Sequence, residues 1–174
     1  MRVIARVIFL ATIVASSPVL AQQWLDYVNR EYRFAVNFPV EPAEQDTAYT
    51  SADGTAVAAH TFFAERDTSR YRVTVVTFPA EIADVAAEIS HATALHRPRG
   101  VAQHDGRGDY DGVPAHDLNM IGPAGRQIVV SILYHDRRLY IVEGDVSADA
   151  APPIQFQQSI VVIDADGTPV NLER

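Results

Sequence analysis

Cysteine is absent from all 174 residues, which removes disulfides, thiolate metal centres and cysteine nucleophiles together. Lysine is absent as well: all 14 basic residues are arginine, so lysine bases and Schiff-base chemistry are excluded. Beyond the first twenty-odd positions no apolar run approaches the roughly 20 residues that cross a bilayer. The chain also lacks a G-x-S-x-G elbow, a P-loop, a G-x-G-x-x-G turn and an H-E-x-x-H pair, so no catalytic residue and no cofactor is implied.

The opening residues, MRVIARVIFLATIVASSPVLA, have the three parts of an export signal. Arg2 and Arg6 form a basic start, Val7 to Ala15 an apolar core broken only by Thr12, and Val19-Leu20-Ala21 a small-residue cleavage site. The expectation is a cleaved signal over 1–21 and a single domain over 22–174, periplasmic or secreted, with no integral membrane segment once the signal is gone. About 150 residues suffice for one ordinary core. Removing Arg2 and Arg6 leaves 12 arginines against 22 acids, 12 minus 22 or −10. Such a charge repels nucleic acid and anionic membranes, whose binding rests on neutralising phosphate. The partner expected is therefore a protein or a small ligand.

The Asp-Gly pairs Asp53-Gly54, Asp111-Gly112 and Asp166-Gly167 mark turns, since both residues tolerate positive φ. Segments rich in Val, Ile, Thr, Tyr and Phe lie between them. These predict strands over 24–28, 34–38, 44–50, 55–64 and 70–78, then over 113–121, 126–134 and 139–146. The strands 128–134 and 139–142 are apolar on both faces and need cover on both. Glu81 to His96 supplies one helix, with Ile82, Val85, Ala86, Ile89 and Ala92 at helical spacing. Ala151 to Ile160 supplies a second, shorter one behind Pro152-Pro153. The fold class is α+β: an antiparallel sheet covered by helices on both faces.

The stretch Gly-Arg-Gly-Asp-Tyr-Asp-Gly-Val-Pro-Ala-His-Asp, 106–117, concentrates the candidate chemistry. Its Arg107-Gly108-Asp109 matches an adhesion tripeptide, too short a motif to carry a role alone. Setting Gly112 at the sixth position of a calcium loop puts Arg107 and Leu118 where carboxylates belong, so that reading fails. A metal site or metal-dependent activity is the alternative function, with His104, His116 and Asp117 as ligands. It requires them to converge from different strands, although neighbours on one strand face opposite ways. Pairing 113–121 with 126–134 about the turn at 122–125 places His116 opposite Ser131. His60, between Ala58 and Phe62 on its own face, reads as a satisfied core histidine. An apolar groove beside Trp24 or Tyr140 would instead mark a binding module.

The run Tyr27-Val28-Asn29-Arg30-Glu31-Tyr32-Arg33-Phe34-Ala35-Val36-Asn37-Phe38-Pro39 resembles the opening of PsbP-like domains, an aromatic before a polar turn and an F-x-V-x-F/Y-P strand. Arg138-Leu139-Tyr140-Ile141-Val142 is similar to their late R-L-Y-x-V strand, and Phe156-Gln157-Gln158-Ser159-Ile160 to their closing helix. The three landmarks span essentially the whole mature chain. The resemblance implies an antiparallel sheet sandwiched between helices and a non-enzymatic role. No residue here matches a photosystem function, so the partner stays open.

Overall fold

The structure is a computed structural model in which residues 24–171 are described; the expected signal over 1–21 lies outside them. Ten strands form two antiparallel sheets. The large sheet has seven strands in the order β3 (Ala43–Thr50), β4 (Ala56–Arg66), β5 (Ser69–Thr77), β9 (Arg138–Val146), β8 (Gln127–His135), β7 (Val113–Ile121), β6 (Val101–Tyr110). The small sheet pairs β2 (Phe34–Phe38) with β1 (Leu25–Asn29) on one side and β10 (Val161–Val162) on the other.

Turn chemistry sets these hairpins. Asp111 and Gly112 both have positive φ, 53° and 82°, between β6 and β7, the two-residue geometry whose twist matches paired strands. Gly54 and Gly167 also take positive φ, so these three Asp-Gly pairs make turns, whereas a fourth, Asp105-Gly106, runs extended within β6. Between β7 and β8, Ile121 pairs with Gln127 and the intervening loop is closed by Gly122 N–H on the Arg126 carbonyl at 2.8 Å. The loop is one residue longer than the pairing expected. His116 therefore sits opposite Ile132, and Asp117 opposite Ser131. In a strand, a slip of one residue exchanges the two faces.

Each face of the large sheet has its own core. On one, α1 (Val85–His96) lays Ile89 and Ala92 against Leu118, Val130 and Ile132. Asp84 caps it by accepting the Ala87 N–H at 2.8 Å, which satisfies a donor the first turn leaves free. The helix thus starts at Val85, and Glu81, outside it, accepts the Tyr134 hydroxyl. The other face is covered chiefly by the small sheet. In β2 the alternation F-A-V-N-F buries Phe34, Val36 and Phe38 against Phe62 and Tyr140. The second helix, α2 (Ile154–Gln158), has five residues and contributes Phe156 to that core. Cover by helices on both faces is thus replaced by α1 on one side and a sheet with a single helical turn on the other. An alternating strand presents a flat apolar face to a sheet, which so short a helix cannot supply alone.

Tyr140 is fully buried, its hydroxyl donating to the Arg33 carbonyl at 3.2 Å. Trp24 packs edge-on to Tyr71, with centroids 5.3 Å apart.

Candidate functional site

The anticipated ligands lie on both sides of the sheet. His116 faces α1, and its Nε2 lies 2.6 Å from Asp105 Oδ1. The same carboxylate receives the Arg97 guanidinium at 2.8 and 3.0 Å. Arg97 first, then His116, hold the Asp105 carboxyl well below the usual carboxylate range. Asp117 points to the opposite face, where it accepts the Tyr110 hydroxyl at 3.0 Å and the Ser131 hydroxyl. His104 is exposed on β6, its imidazole beside Gly106. His116 and Asp117 are thus divided by the sheet, and His104 joins neither. Among the described residues no group of three or more His, Asp or Glu side chains is arranged to hold a metal ion. His60 is half-buried: it stacks on Tyr32 and its nitrogens reach Asp46 and Glu44 at 2.7 and 3.2 Å.

A different set converges where β5 and β9 run under the end of α1. Strand pairing puts Arg72 directly opposite Glu143 and Arg70 opposite Asp145. Past α1, Arg97-Pro98-Arg99 forms a single 3₁₀ turn, because proline cannot continue the helix. That turn brings Arg99 over the strands, where one guanidinium bonds both Glu143 and Asp145. Arg126 closes the far side, with its Nε 2.6 Å from Asp145 Oδ1. Glu143 and Asp145 are mostly buried, at 11% and 16% side-chain exposure. Carboxylates so placed must be paired.

Arg72 is the member left short of partners. Its nearest carboxylate oxygen, Glu143 Oε2, is 3.8 Å away, and half of its side chain is exposed. A guanidinium carries five donors and never loses its charge, so most of the Arg72 fork is available. It opens on a cavity of about 320 Å³ between Phe63 and Leu95 on the apolar side and His96, Arg99 and Glu143 on the polar side. Leu95, at the mouth of this cavity, is 54% exposed.

His96 is neutral here. Arg99 Nη1 lies 3.3 Å from its Nδ1, and arginine can only donate, so that nitrogen carries a lone pair. Burial also lowers the imidazole's pKa, and Arg99 and Arg72 push it the same way against the pull of Glu143. The 3.9 Å approach of Nδ1 to Glu143 is accordingly no ion pair at neutral pH. The site combines a cationic fork, an uncharged imidazole and an apolar wall.

Two acids in the run Ile141-Val142-Glu143-Gly144-Asp145 were its sequence signal. Charges inside an otherwise apolar strand call for cations, and in this chain those must be arginines. Which arginines answer depends on the β5–β9 register and on the turn after α1, neither of which is local in sequence.

No protein-family model matches the sequence, and no curated protein is significantly similar to it. Among solved structures, the solution structure of cyanobacterial PsbP (CyanoP) from Synechocystis sp. PCC 6803 is similar over 86% of this chain and 98% of that one, with a TM-score of 0.51 and 12% sequence identity. The chain has a PsbP-like fold. At this identity the likeness concerns the PsbP-like architecture alone, so the arginine cavity is argued from this chain's own residues. No helix among the described residues is long and apolar enough to cross a membrane.

Proposed function

We propose that the protein is an exported domain that binds a small amphiphilic anion and performs no chemistry on it. Export rests on the pattern of residues 1–21. Binding rests on one observation: the under-bonded guanidinium of Arg72 faces a cavity with an apolar wall. The volume lies at the lower end for small-molecule sites, which run from about 300 Å³. Arginine suits a carboxylate or phosphate because its planar fork can donate two parallel bonds. Phe63 and Leu95 would take an alkyl or aryl portion of the ligand.

Calorimetric titration with octanoate and octyl phosphate tests the reading, with acetate and inorganic phosphate as the short counterparts. Saturable binding of the eight-carbon anions, lost in Arg72→Gln, is expected. Absence of binding, or binding indifferent to Arg72→Gln, rejects the site. Intact mass of the protein recovered from its own cells tests export, with a chain beginning at Gln22 expected.

A further inference from the structure

The seven-stranded sheet ends in two edges of unlike character. At β3 the edge is guarded. Glu44 and Asp46 lie on this strand, Glu41 and Pro42 just precede it, and its exposed charges are all negative. A second β3 brought alongside would meet like charge, which is how sheets avoid edge-to-edge growth. At β6 the edge is open from His104 onward, past a bulge between Ala102 and His104. It spans ten residues, none of them buried, and Val101 is 70% exposed. It contains neither proline nor lysine, and among the described residues its backbone is paired only to β7.

The charges along β6 alternate around a centre. Asp105, Arg107 and Asp109 all occupy the face toward α1, with Gly106 and Gly108 between them on the other. An antiparallel copy related by a two-fold axis through Gly106 places Arg107 opposite Asp105 of the second copy, and Asp105 opposite its Arg107. On the reverse face, His104 falls opposite Gly108, where no side chain obstructs the ring. Moving the axis to Arg107 opposes two arginines. Moving it to Gly108 opposes Asp105 to Asp111. The axis at Gly108 would also pair Arg107 with Asp109, but only the axis at Gly106 pairs Arg107 with an acid without setting like charges opposite. Among the described residues Arg107 has no hydrogen-bond or ion-pair partner, whereas Asp105 is already set in place by Arg97 and His116.

We propose that the protein self-associates through β6, two copies pairing antiparallel about Gly106 to join their large sheets into one. The assembly closes at two copies, since the edges left outside are the two guarded β3 strands. An interface made of one strand from each copy is small, so affinity on the order of micromolar is expected. This pairing also gives the Arg107-Gly108-Asp109 tripeptide a role as an edge-strand segment.

Sedimentation or light scattering on the purified protein, from about 1 μM to about 1 mM, should show a reversible monomer–dimer equilibrium. Arg107→Glu sets like charges against each other at both symmetric positions without disturbing any bond within the chain. It should weaken the dimer by at least about tenfold. Gly106→Cys supplies a register test, which the absence of native cysteine makes clean. Directly opposed residues in antiparallel strands lie about 4.5–5.5 Å apart at Cα, within the span of a disulfide. This variant should cross-link on mild oxidation faster than Gln45→Cys on the β3 edge. A chain monomeric over the whole range overturns the proposal, as does a dimer indifferent to Arg107→Glu or a Gly106→Cys variant no faster than its control.

Discussion

Arg72 and Glu143 are paired residue to residue across β5 and β9, yet their charged ends stand 3.8 Å apart. Arg99 has taken the other carboxylate oxygen. Two arginines thus compete for one mostly buried acid, and the one that loses is left facing the cavity. The same geometry stabilises the strand pair and keeps a cation available.

Glu143→Gln should move stability and binding in opposite directions. Removing the charge leaves Arg99 with its 3.4 Å contact to Asp145 as its one remaining ion pair among the described residues, and loss of a charge-assisted bond there should cost about 1–3 kcal/mol in urea unfolding. Arg72 and Arg99 are then both less engaged by the protein, so the affinity for octanoate should rise. A variant that loses affinity along with stability would show that Glu143 does more than compete.

His96 predicts an acid-side loss of stability. Its folded pKa is lowered, first by burial, so the unfolded chain takes up a proton at a higher pH than the folded one. The stability it contributes is complete above the ordinary histidine value of about 6.5 and falls as pH drops from there toward the folded value. Thermal melts should show Tm declining across that interval, and His96→Gln should flatten the decline. An unchanged slope in the variant would assign the effect elsewhere. Asp105, also with a depressed folded pKa, acts only lower down, below the ordinary aspartate value of about 3.9.

All seven tyrosines have raised pKa values with burial as the largest cause, Tyr110 up to about 12. For a raised acid the stability is complete below the ordinary value of about 10 and is lost as pH climbs past it. Tyrosinate absorbance at 295 nm and circular dichroism should change together on the alkaline side. Seven tyrosines titrating near 10 with the dichroism intact would contradict the packing.

Gly144 on β9 tests the cover of the small-sheet face. A methyl there would lie 2.6 Å from Pro153 Cβ and 3.2 Å from Val129 Cγ2. Pro153 precedes α2, so Gly144→Ala should lift that turn at a cost of about 1–3 kcal/mol. A red shift in the fluorescence of Trp24, whose ring lies 6.5 Å from that of Phe156, is the expected optical sign. A neutral substitution would mean that α2 moves freely.

How far the sequence alone reaches follows from these residues. Eight of the ten strands and both helices are legible, because alternation and Asp-Gly turns are local. Strand β6 was passed over because Val101–Tyr110 is an exposed edge with little apolar content, and two-residue β10 leaves no period to detect. The register of β7 on β8 slipped by one residue through the length of a single loop, which moves Asp117 rather than His116 beside Ser131. The arginine cavity needed three non-local facts at once: strand register, helix end and the turn past Pro98.

The small sheet joins the two ends of the domain, with Phe34 and Ala35 of β2 hydrogen-bonded to Val162 and Val161 of β10. Contacts so distant along a chain form late, because the loop between them must first be closed. The aromatic core beneath β2 therefore stays incomplete until β10 is present. If the protein is exported as proposed, a chain passing amino-end first through a translocation pore would remain loose, and so threadable, until β10 emerged. Folding would then be timed to arrival on the far side.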